Sequence, residues 1–209
     1  MKNLGVLLLI AAAQWAAIGT FPSPSTNYTL MQEAIISGGA PLAGTKIVQA
    51  PIGAQIALLE KGEADIAMVL EPAASKAEAD GYRVVFSSPQ FNGPFAFTGM
   101  TVSSDFVKSQ PRTVQAMVNA LQKALVYCHS DPSGATAVAK KLFPSLPPEV
   151  VEKAVQRMLT ENTIPKDVRV SEAAWDAAVR TRVSVGDLKK PQEYRLSVDS
   201  SFADQAGKK

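Results

Sequence analysis

Two short stretches of this sequence carry groups able to hold a small polar molecule. Ser23-Pro24-Ser25-Thr26-Asn27 gathers hydroxyls, an amide and backbone N–H groups where a helix is expected to begin. Such a helix start carries roughly half a positive charge and readily accepts an anion. Glu71 closes the stretch from Gly62 to Pro72 and offers a carboxylate to an ammonium, amine or amide. A wholly anionic ligand about 4 Å from that carboxylate would be disfavoured by roughly 4 kcal/mol at an effective dielectric of 20. The pair therefore suits a ligand with an acceptor end and a donor end. Each stretch also has a plainer reading. Ser25 serves equally as an ordinary N-cap behind a proline-stiffened lead, and Glu71 as a solvated charge at the start of the next helix. Phe91, Asn92, Gly93 and Thr98 are further candidates to line the same cleft, with ordinary loop roles as the simpler reading.

The elements that must position these groups follow from periodicity and punctuation. Ile18 to Phe21 reads as a strand, and Pro22 to Ser25 as a stiff loop into a helix that begins near Thr26 and stops at Gly38-Gly39. Thr45 to Ala50 is a second strand, Ile52 to Lys61 a helix and Ala64 to Leu70 a third strand, followed by a helix from Pro72 to Asp80. Strand, helix and strand at this spacing form a βαβ unit with parallel strands, so the fold class is α/β. Ligands in such sheets bind at the carboxyl ends of the strands. Tyr82 to Ser87 is expected to add one more strand.

Beyond Ser87 the character changes. Pro89 to Pro94 is a turn-rich crossing, Phe95 to Ser103 is extended, and the remainder is mostly helical. Val114, Met117, Val118, Leu121 and Leu125 predict one broad apolar helix face. Ala135 to Phe143, Pro148 to Leu159 and Ser171 to Val183 are the other helix candidates. The division expected is 1–17 as a leader or lobe remnant, 18–90 as a βαβ lobe, and 91–209 as a crossing segment with a helical part.

The composition narrows the chemistry. Of 209 residues, 46% are hydrophobic and 19% charged, as in a globular protein, and the net charge of +2 is not gathered into a basic stripe. Nucleic acid is not an expected partner. The single Cys128 and single His129 leave no cysteine-rich zinc site, so no metal and no other cofactor is expected. Cys128 reads as a small packed residue in a helix, and His129 as an imidazole on the last carbonyls of that helix. Trp15 and Trp175 read as packing anchors. No phosphate loop, nucleophile elbow or dinucleotide turn is present. Lys2, the apolar run Leu4 to Ile10 and Ala11-Ala12-Ala13 have the form of a secretory signal peptide cleaved near Ala13, with a buried element of the mature fold as the alternative.

Several separate pieces resemble the solute-binding proteins of ABC importers, in the branch serving nitrate, alkanesulfonates, taurine and thiamine pyrimidine precursors. They are Gly19 to Asn27, Ala57 to Ala67 with Leu70 to Ser75, Phe106 to Pro111, and Val198 to Ala203, in that order along the chain. The resemblance implies a type II periplasmic binding fold, a two-lobed clamshell that closes on its solute and presents it to a permease in the inner membrane. It implies a periplasmic protein that is not an enzyme. It places Ser25, Thr26 and Glu71 where relatives line the cleft. Relatives usually carry a substantial first-lobe segment before the strand matching Ile18 to Phe21, so the expectation is a clamshell incomplete at its N-terminus, with apolar surface available for self-association. The rival reading is an enzyme of the same fold resembling a thiamine-pyrimidine-precursor synthase, which would need histidine and lysine chemistry in the cleft. A regulator's sensing domain would need a DNA-binding domain ahead of Ile18.

Overall fold

Ala17–Thr20 forms strand β1, buried along its whole length. It is the middle strand of a three-stranded parallel sheet, with β2 (Lys46–Gln49) on one side and β3 (Ile66–Ala67) on the other. A parallel strand covered on both faces has no solvated side, and this explains why Ala17 to Thr20 lacks a polar and apolar alternation. The computed structural model describes residues 16–207, and the leader motif, Trp15 and the final lysine pair lie outside the described residues. The chain forms two compact units. One comprises the chain through Ser88 together with Val179–Pro191, and the other comprises Pro89–Ala178 and Gln192–Lys209. Sequence reading kept 91–209 in one piece. Val179–Pro191 returns instead to the first unit, through contacts that no local pattern encodes.

In the first unit the sheet is packed on both faces. Ile18 sets against Met31, Ile35 and Ala40, while Ala17 sets against Ala50, Leu58 and Ala64. Met31 and Ile35 come from helix α1 (Thr26–Ser37), and Leu58 comes from α2 (Gln55–Glu60). A Cβ at Gly19 would sit 2.8 Å from Leu58 Cδ1, so a larger residue there would have to displace that side chain. Helix α1 ends at the expected glycines: Gly39 adopts φ 79°, its N–H donates to Ile36 O at 2.9 Å, and Ala40 N–H donates to Ile35 O at 3.1 Å. Those two bonds satisfy carbonyls the helix end would otherwise leave open.

Two strand expectations need correction. The third strand is Ile66–Ala67 and not Ala64 to Leu70, although Asp65 N–H and Met68 N–H still donate to Ala17 O and Gly19 O, both at 2.8 Å. It is parallel to β2 as expected, but β1 lies between the two. Tyr82 to Ser87 forms no strand, because apolar residues make one only when a neighbour supplies a ladder, and Val84 and Val85 are exposed instead. Helix α3 (Ala73–Ala79) follows β3.

The second unit is helical. Short α4 (Ser88–Asn92) and α5 (Ser104–Ser109) precede α6 (Pro111–Ser130), α7 (Pro132–Leu142) and α8 (Pro148–Thr160). The last three each begin with proline, whose missing N–H costs nothing in a first turn. Helix α9 (Glu172–Ser184), α10 (Tyr194–Ser197) and α11 (Ser201–Gln205) complete the chain, with α9 residues from Val179 onward counted in the first unit. Val114 and Val118 on α6 are buried, as are Val150, Val151 and Ala154 on α8. The broad apolar face expected on α6 is only partly covered: Met117 and Leu121 remain about half exposed.

Candidate functional site

Strand β1 delivers the chain into α1 through a loop fastened from several sides. The Asn27 side chain is buried, and its Oδ1 accepts from Thr20 Oγ1 at 2.8 Å and from Phe21 N–H at 3.3 Å. Ser23 N–H donates to Gln49 Oε1, at the end of β2, at 2.9 Å. The start of α1 is thereby held at the carboxyl end of the sheet, where α/β folds bind ligands. Asn27 and the Ser23 backbone serve as fasteners. The sequence had offered both as ligand contacts.

Ser25 caps the helix, its Oγ accepting Tyr28 N–H at 3.2 Å. Thr26 Oγ1 accepts from Arg182 Nη2 at 3.0 Å. Among the described residues both hydroxyls act only as acceptors, so each keeps its proton to donate. The N–H groups of Thr26 and Asn27 add two donors, since no carbonyl of their own helix reaches a first turn. The helix start is thus a cluster of donors at the positive end of a helix dipole.

Sequence reading missed the residue that completes this cluster. Arg182, in the last turn of α9, reaches Thr26 across 156 positions, and its Nη1 meets Asp187 Oδ2 at 3.2 Å. Asp187 returns beside it because the chain turns sharply after α9, with Gly186 N–H donating to Val183 O and Leu188 N–H to Arg182 O, both at 3.1 Å. The fully buried Thr29 donates its hydroxyl to Asp187 Oδ2 at 2.6 Å. The only local signal was a basic residue in a last helical turn, which reads as a dipole partner and no more.

Glu71 stands four residues beyond β3, on the strand adjacent to β1 and at the same end of the sheet. Its Oε2 accepts Ser75 N–H at 3.0 Å and its Oε1 accepts Ser75 Oγ at 3.1 Å. The carboxylate therefore does the work of a helix-start charge for α3.

The other candidates lie in the second unit. Asn92 ends α4 and Thr98 is exposed on the segment after it, and both are counted with that unit. His129 Nε2 lies 3.1 Å from Ile164 O and 3.2 Å from Pro165 O. These carbonyls belong to the connection after α8, and not to the end of its own helix as expected. Trp175 Nε1 donates to Gln192 O at 3.0 Å, an anchoring role. A hollow of about 330 Å³ beside Lys166, Arg169 and Tyr194 also lies in this unit. Arg169 is paired there with Asp204, and the Tyr194 hydroxyl contacts Val170 O and Ser200. Among the described residues no group of three or more His, Cys, Asp or Glu is placed to hold a metal ion, and no helix is long and apolar enough to cross a membrane.

Comparison with known proteins places this arrangement. The model of the NMT1-like family matches residues 10–143, more than half of the 209. The chain belongs to the NMT1-like family. Among solved structures, this NMT1-like chain is similar to the periplasmic aliphatic sulphonate binding protein SsuA of Escherichia coli, with a TM-score of 0.67 and 14% identity over 91% of this chain and 60% of that one. It is also similar to the alkanesulfonate-binding protein SsuA of Xanthomonas axonopodis pv. citri bound to MOPS, with a TM-score of 0.56 and 17% identity over 79% of this chain and 64% of that one. No curated protein matches the sequence. The fold is that of these binding proteins, and the chain spans less than two thirds of the length of each.

Proposed function

We propose that this chain, in the periplasm, binds a small organic solute with an oxyanion end and an amine end and hands it to an ABC permease of the inner membrane. One observation carries the reading. Ser25 and Thr26 each accept one hydrogen bond inside the protein and keep a proton to donate outward, beside first-turn N–H groups. A sulfonate is acceptor-only and matches that set. Glu71, at the same end of the adjacent strand, supplies the complementary acceptor for an ammonium. The NMT1-like family match and the shared fold support uptake over catalysis. The lone histidine supports the same choice, since His129 lies in the second unit against two carbonyls.

Calorimetry with taurine, ethanesulfonate, nitrate and an aminopyrimidine tests the reading. Taurine is expected to bind best. Thr26→Ala should weaken every sulfonate by about 0.5–1.5 kcal/mol, and Glu71→Ala should weaken taurine by about 1.5–3 kcal/mol while sparing ethanesulfonate. Equal affinities for all ligands in both variants would overturn it. Export is checked by the intact mass of protein recovered from the periplasm of a bacterial host, expected to lack the residues before about Ala13.

A further inference from the structure

We draw no further inference here: the strongest candidate, the uncovered apolar face of α6 around Met117 and Leu121, carries none because nothing in the structure shows what covers it.

Discussion

In the first unit the interior holds polar side chains: Thr20, Asn27, Thr29, Gln55 and Ser75 are each at most 2% exposed. Their bonds run to the loops at the carboxyl end of the sheet. Thr20 meets Asn27, Gln55 Nε2 donates to Ala50 O and Pro51 O at 2.8 Å each, and Ser75 meets Glu71. Among the described residues of the second unit the buried set is Val114, Val118, Ala135, Val150, Val151, Ala154 and Ala178, all apolar, and large side chains such as Leu121 and Leu142 stand exposed. Apolar contact is non-directional and gives helices a platform. Buried hydrogen bonds are directional and costly to leave unmade, so they hold loops in one geometry. The polar interior therefore lies where the candidate site lies.

The comparison is tested most severely by paired methionines. Met31→Ala, at a side chain 2% exposed in the first unit, should cost about 2–5 kcal/mol in urea denaturation, whereas Met117→Ala, at 46% exposure in the second, should stay within about 0.5 kcal/mol. Equal costs would remove the distinction between a filled core and an uncovered helix face. Next is Asn27→Ala, which strands the Thr20 hydroxyl and the Phe21 N–H and should cost about 1–3 kcal/mol. A neutral result would mean that the polar interior does not brace the β1 loop. Glu71→Ala removes the acceptor of Ser75 N–H at the start of α3, with an expected loss of about 0.5–2 kcal/mol, readable as faster amide exchange in Ala73–Ala79.

The smallest effect belongs to the second unit and depends on pH. Hydrogen bonds from the Ser201 side chain and backbone hold the Asp199 carboxyl below its ordinary value of 3.8. A depressed carboxyl favours the ionised folded form, so its contribution is complete above 3.8 and fades as pH falls through the lower folded value. The group is well exposed, and Asp199→Ala should cost at most about 0.5 kcal/mol at neutral pH. Melting curves of the two proteins are expected to converge at the acidic end. A gap that widened there would reverse the sign.

Much of the frame was legible in the sequence. Gly38-Gly39 marked the end of α1 and Pro148 marked the start of α8, because backbone geometry at these residues is a local property. Ser25 was legible as a cap for the same reason. Tyr82 to Ser87 was misread, since its apolar residues look like a strand whether or not a neighbour pairs with it. Met117 and Leu121 were misread on α6, since periodicity reports which residues share a face and not whether that face is covered.

By itself, then, the sequence determined the α/β order of elements, their caps and the presence of donors and a carboxylate beyond two strands. Those features depend on residues a few positions apart. Only the tertiary structure decided that β1 lies between β2 and β3, that Val179–Pro191 joins the first unit, and that Asn27 turns inward while Thr26 keeps its proton. The physical reason is separation along the chain. A guanidinium 156 residues away donates to the Thr26 hydroxyl, and no local propensity can encode a bond whose partners meet only after the chain has closed.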